Sequence, residues 1–170
     1  MSSVIKNTNL SRCTGTVDCS NVASLSPYCT IHARSIYGVE VRPSLIEGGG
    51  LGLFATRDFR PRRVRSRLSS SATVVRPVTV ADYGGIVVDV SHVTPNVYGI
   101  HIGKDRMIDA TFHRGWGAMA NDARRSVFKN NARLVVSRRP GGKFVCTLKA
   151  FSTILNGEEI LASYGPGYWK

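Results

Sequence analysis

The sequence predicts a mainly β domain with few, short helices, preceded by a small cysteine- and histidine-bearing module. Three observations carry that expectation. From Val39 onward, short runs rich in valine and isoleucine alternate with glycine and proline, the texture of short strands and turns. Residues 1–38 are polar, lack a periodic apolar pattern, and hold three of the four cysteines together with His32. A length of 170 residues with 42% hydrophobic content accommodates one compact domain, 39–170, plus the appendage 1–38, but not two full domains.

The module comes first. Cys13, Cys19, Cys29 and His32 offer three thiols and an imidazole, and Cys29-Thr30-Ile31-His32 places two of these groups within one turn. Such a set suits one tetrahedral Zn2+ in a closed structural site, which would order a segment that has no core of its own. Three free thiols and a surface histidine are the alternative. Cys146, within Phe144-Val145-Cys146-Thr147-Leu148, reads as a buried small apolar residue. This is not the cysteine pattern of a secreted disulfide framework, and Met1 to Leu10 has no apolar block of signal-peptide length. An intracellular, reducing location is expected, with the nucleus or a virus particle as settings.

The strands follow in order. The runs are Val39 to Val41, Leu51 to Phe54, Val74 to Val80, Ile86 to Val90, Tyr98 to Ile102, Met107 to Ile108, Ala132 to Ser137, Lys143 to Leu148 and Glu159 to Leu161. Single helical turns are expected at Val80 to Tyr83 and Trp116 to Ala120. Arg138-Arg139-Pro140-Gly141-Gly142-Lys143 reads as a basic hairpin turn. The longest apolar runs, such as Gly85 to Val90, are too short to cross a bilayer, so no membrane partner is expected.

A formal net charge of +12, with seventeen arginines against six lysines, points to an acidic partner. Seven of those arginines fall between Arg57 and Arg76. The segment reads either as an exposed, mobile loop with solvated charges, or as an anchor for nucleic-acid phosphates or an acidic protein surface. A place in a larger assembly is consistent with either.

Two stretches a hundred residues apart carry the functional signal. They are Glu47-Gly48-Gly49-Gly50-Leu51-Gly52-Leu53-Phe54-Ala55-Thr56 and Gly157-Glu158-Glu159-Ile160-Leu161-Ala162-Ser163-Tyr164-Gly165. Glycines without Cβ let backbone approach a ligand closely, although Gly-x-Gly alone also makes a plain hairpin turn. The adjacent Glu158 and Glu159 are not an acid-base pair, because neighbours on a strand point to opposite faces. In this order the pair resembles the opening and closing motifs of the SET domain, the lysine methyltransferase fold. Between them, Tyr83-Gly84-Gly85 resembles the element bordering the target-lysine channel. Ile108-Asp109-Ala110-Thr111 and Trp116-Gly117-Ala118-Met119-Ala120-Asn121-Asp122-Ala123 are similar to the central motif and its leading strand. There the family usually has histidine after asparagine, and this chain has Asp122. Asn131 stands near the position of a later family asparagine, and could equally be a turn residue.

The resemblance spans about Val39 to Lys170, and the compactness resembles minimal viral or protist members. It implies several small sheets with a knot-like C-terminal segment. It also implies S-adenosylmethionine held by Gly50, Leu51, Gly52, Leu53, Asn121, Asp122 and Trp169, with Trp169 either over the adenine or packed on the fold. Tyr164 and Tyr83 are the implied catalytic residues. The implied partner is a protein bearing a target lysine, histone being the commonest class. Members often close the channel with a cysteine cluster after the final motif. Here Tyr168, Trp169, the N-terminal module or a second subunit would have to do so. The competing reading is a SET-like domain without turnover, kept as a basic structural subunit of a nucleoprotein or viral assembly.

Overall fold

A computed structural model of the chain describes residues 12–21, 25, 27–66, 72–92 and 98–165. Trp169, Tyr168 and the serines at 69–71 lie outside the described residues. Within them the chain forms twelve strands in four small sheets, as the valine- and isoleucine-rich runs predict.

Strands β1 (Val39–Pro43) and β2 (Leu51–Ala55) form an antiparallel hairpin, and β11 (Glu159–Ile160) pairs with the other side of β2. A second sheet has the order β12-β9-β10-β5, built from β5 (Val78–Asp82), β9 (Ala132–Arg138), β10 (Phe144–Ala150) and β12 (Ala162–Ser163). The third joins β6 (Gly84–Asp89), β8 (Arg106–Arg114) and β7 (Gly99–His101). The fourth is a lone pair, β3 (Arg62–Arg65) with β4 (Thr73–Arg76).

Residues 159–163 lace these sheets together. Glu159 and Ile160 pair antiparallel with Phe54 and Leu53, Leu161 bridges to Asn121, and Ala162 and Ser163 run parallel to Ala132 and Arg133. The C-terminal segment thus ties the first sheet to the second, the knot-like closure expected. Leu53, Phe59, Trp116, Leu148, Ile154 and Ile160 are buried together in one apolar core at this junction. Side chains of this size each contribute roughly 1.5–3 kcal/mol when fully buried.

Three local expectations need correction. Val80 to Tyr83 is not a helical turn, because Val78–Asp82 is strand β5. Register there steps from Thr79↔Lys149 to Ala81↔Leu148, leaving Val80 as an extra residue on β5. That bulge buries Val80 and Ala81 in succession and erases the alternation a strand normally shows. The run Val74 to Val80 splits at Pro77, which has no N–H to donate to a ladder. Arg57 to Arg76 is not simply a loop, since it holds the β3–β4 hairpin, with Val64 opposite Val74.

Trp116–Met119 is a short 3-10 turn, as expected, and Pro140–Gly142 turns β9 into β10. One helical piece was not legible: α1 (Thr30–His32) runs into a π-helical turn, Ala33–Tyr37. Its Ile31 and Ile36 are exposed, so no amphipathic stripe marks it. Among the described residues no helix is long and apolar enough to cross a membrane.

Candidate functional site

The site is built around Glu159. Glu158 precedes β11 and is exposed, whereas Glu159 on β11 is turned inward and is 5% exposed. Its carboxylate accepts from Ser44 Oγ at 2.7 Å and from the Leu45 backbone N–H at 2.8 Å, with Asn121 Nδ2 at 3.4 Å. Such donors offset the cost of taking a carboxyl group out of water. Asn131 Nδ2 donates to the Glu159 carbonyl at 2.8 Å, while its Oδ1 accepts from the Leu161 N–H at 2.9 Å. Asn131 therefore fastens the closing strand and is more than a turn residue.

Asn121 joins this hub to the glycine turn. Its Nδ2 donates to Leu51 O at 3.0 Å and Gly49 O at 3.3 Å. Gly52 has no room for a side chain, since a Cβ there would lie 2.2 Å from Glu159 Oε1 and 3.3 Å from Asn121 Nδ2. Gly50, with φ of +63°, instead faces open space, with nothing within 4 Å of where its Cβ would be. The turn therefore presents bare backbone outward and rests on Asn121 and Glu159 from within.

Tyr164 lies on the same cluster. Its hydroxyl donates to Ala120 O at 3.0 Å and sits 3.5 Å from Asn121 Oδ1. The structure thus brings Gly50, Leu51, Gly52, Asn121 and Tyr164 together through one side chain, Asn121. Tyr83 is buried beside Ile108, Ala110, Ala118 and Cys146. Burial, and then the fields of Cys146 and Tyr164, hold its phenol well above the ordinary value near 10. It stays protonated through the neutral range, a neutral hydroxyl able to donate and to accept. Leu53 is fully buried in the core on the central strand of its sheet, so its side chain offers the site nothing.

Asp122 does something the motif did not suggest. It is 5% exposed, and its Oδ2 accepts the Tyr164 backbone N–H at 2.8 Å. Its Oδ1 accepts from the Arg124 N–H and from Asn130 Nδ2, each at 3.0 Å. Asp122 is thus a clamp on the backbone that carries Tyr164. Sequence reasoning missed this clamp, and it missed the roles of Ser44 and Glu159. The one available signal was a carboxylate, Asp122, where the resembling motif usually has histidine.

The second cluster is the Cys/His module. Cys13, Cys19 and Cys29 are buried and His32 half-buried, with their four ligand atoms all within 4.8 Å of one another. Cys13 Sγ and Cys29 Sγ lie 3.3 and 3.4 Å from His32 Nδ1. A tetrahedral Zn2+ with ordinary Zn–S and Zn–N bonds needs edges of about 3.5–3.8 Å, so the donor set fits with small adjustment. The Cys29 thiol is drawn down to about 6, chiefly by the His32 backbone N–H, which favours the thiolate a metal requires. Trp116 links this module to the first cluster, its Nε1–H shared between Leu25 O at 3.1 Å and Tyr28 O at 3.2 Å.

If zinc is held here, purified protein carries one zinc per chain, and its thiols resist alkylation. Chelation should expose three thiols to iodoacetamide while Cys146, which burial raises to about 12, stays unmodified. Intact-mass spectrometry with and without EDTA reads both outcomes.

Two surface clefts lie apart from the glycine turn. One of about 300 Å³ lies among Thr30, Arg34, Glu40 and Trp116, and one of about 350 Å³ runs along Gly85, Ile86, Val87 and Phe144.

No protein-family model matches the sequence, and no curated protein matches it. Among solved structures, the chain is similar to a candidate histone methyltransferase of Plasmodium falciparum. The identity is 17%, the TM-score is 0.50, and the match covers 78% of this chain and 97% of that one. It is also similar to the methyltransferase domain of human PR domain-containing protein 2. There the identity is 22% and the TM-score 0.46, with 76% and 78% of the two chains covered. The first likeness shows the fold.

Proposed function

We propose, on the premise that this chain has the SET-domain fold, that it is a protein-lysine methyltransferase using S-adenosylmethionine. The observation that carries the reading is the link Gly50–Gly52 turn, Asn121, Tyr164, which ties the two resembling motifs into one site. The residues fit the cofactor at one point in particular: the Gly50 backbone is bare toward open space where a side chain would obstruct. Bound there, S-adenosylmethionine supplies an electrophilic methyl group.

The protein's part is to position and to manage protons. Asn121 holds the carbonyls of Gly49 and Leu51, and so fixes the shape the turn offers to a ligand. Glu159 supports the turn from below by accepting from Ser44 Oγ and the Leu45 N–H. A lysine amine with pKa near 10.4 is almost fully charged at neutral pH and cannot act as a nucleophile until its proton leaves. Buried, neutral tyrosines around it disfavour the ammonium by desolvation, and Tyr83 is such a group. The Tyr164 hydroxyl, set by Ala120 O and by the Asp122 clamp on its backbone, would orient the amine's lone pair. Trp169 is retained as a proposed adenine contact.

Histone is the proposed target class, and the high basic charge suits docking to an acidic assembly around it. The test is incubation of zinc-loaded protein with methyl-labelled S-adenosylmethionine and core histones, with lysine methylation read by mass spectrometry. A second reading, a structural subunit without turnover, is favoured by one observation: the Asn121 amide donors are already spent on Gly49 and Leu51. It predicts no label on any lysine in that assay.

A further inference from the structure

We propose that the β3–β4 hairpin is a double-stranded DNA contact that seats in a groove and grips phosphates from both of its faces. This holds whether or not the methyltransferase reading does. β3 and β4 pair only with each other, so the hairpin is a free two-stranded ribbon among the described residues. Its register sets Arg62 opposite Arg76, Arg63 opposite Val75, Val64 opposite Val74 and Arg65 opposite Thr73. Alternation then places Arg62 and Arg76 on one face, and Arg63 and Arg65 on the other. All four arginines are exposed.

Folding does not account for these charges. Like charges directly opposite across a ribbon are destabilising. Asp58 is the single acid from Arg57 to Arg76, and it pairs with Arg60. Among the described residues none of the four ribbon arginines has a salt-bridge partner. The ribbon therefore keeps an unfavourable, unneutralised charge, and a ligand would supply the missing anions.

The geometry selects the ligand class. A flat acidic protein patch can meet only one face of a ribbon, and strands β3 and β4 carry no aromatic residue, the usual anchor of a protein interface. The B-DNA major groove, about 12 Å wide, admits a two-stranded ribbon and has phosphates along both rims. The deep, narrow major groove of A-form RNA does not admit side chains in this way. The ribbon has arginine forks for phosphate and only valine and threonine between them, so the contact is sequence-independent.

The test is fluorescence anisotropy of the full, zinc-loaded chain with a labelled 20-base-pair DNA duplex, titrated at several salt concentrations. The log of the binding constant should fall linearly with log salt. Arg62→Gln/Arg76→Gln and Arg63→Gln/Arg65→Gln should each make the slope shallower by about 1.8, since each lost phosphate contact removes about 0.9. The turn variant Arg139→Gln/Lys143→Gln, which removes the same charge, should change it by less than half as much. Circular dichroism should show all three variants folded. The proposal is overturned by absence of duplex binding, or by an equal slope change in the turn variant. It is also overturned if only one ribbon face matters, which means a flat contact. Binding of polyglutamate as tightly as DNA at equal ionic strength overturns it as well, and identifies an acidic protein as the partner.

Discussion

Tyr164→Phe is expected to lower the rate of methyl transfer by about 10²-fold or more while leaving cofactor affinity within a few-fold of the parent. The change removes one hydroxyl and nothing else. The ring stays in place, because its position is set by the backbone bond from Tyr164 N–H to Asp122 and by the parallel pairing of Ala162 and Ser163 just before it. Loss of the bond to Ala120 O costs about 1 kcal/mol of stability, too little to unfold the domain. The effect therefore falls on kcat. A purely structural tyrosine would show the stability loss with transfer unchanged, so single-turnover kinetics beside urea denaturation separates the roles.

Gly52→Ala is expected to destabilise the domain by about 3 kcal/mol and to abolish cofactor binding. A Cβ there would stand 2.2 Å from Glu159 Oε1, and that oxygen is not free to swing away. Ser44 and Leu45 hold the carboxylate in a buried setting, and each bond to a charged group is worth about 1.5–3 kcal/mol. Displacing the carboxylate strains both bonds and pushes on Asn121, so the glycine turn loses its support. Gly50→Ala provides the contrast. It meets no protein atom, so its stability cost is only that of the left-handed backbone, about 1–2 kcal/mol, although its methyl would stand on the face offered to the cofactor. Equal losses of stability at the two positions would mean that close approach of Glu159 is not what Gly52 serves.

What was legible in the sequence was local. The valine and isoleucine runs gave the strands, because a β-branched residue on a pleated surface needs no distant partner to declare itself. The Cys13, Cys19, Cys29 and His32 cluster was legible because thiols and imidazole crowded into a segment without a core have few other uses, and the structure brings the four within 4.8 Å of one another. The glycine turn, Asn121 and Tyr164 were found through their resemblance to motifs, and the structure brings them together. What stayed hidden depended on partners far along the chain. That Glu158 and Glu159 face opposite ways could be read, but not that Glu159 turns inward to accept from Ser44 and Leu45, more than a hundred residues earlier. Asp122 read as a departure from the motif, whereas its carboxylate binds the backbone of Tyr164. Val80 sat in a bulge that breaks alternation, so strand β5 looked like a turn. The arginine ribbon looked like a loop because charge masked the pairing of Val64 with Val74.

The most direct measurement is calorimetric titration of the folded, zinc-loaded chain with S-adenosylmethionine. A glycine turn held open by Asn121 and joined through it to Tyr164 predicts saturable one-to-one binding, absent in Gly52→Ala. No heat of binding with cofactor at about 1 mM, the weak end of the ordinary enzyme range, would contradict the assignment of this cluster as a methyl-donor site.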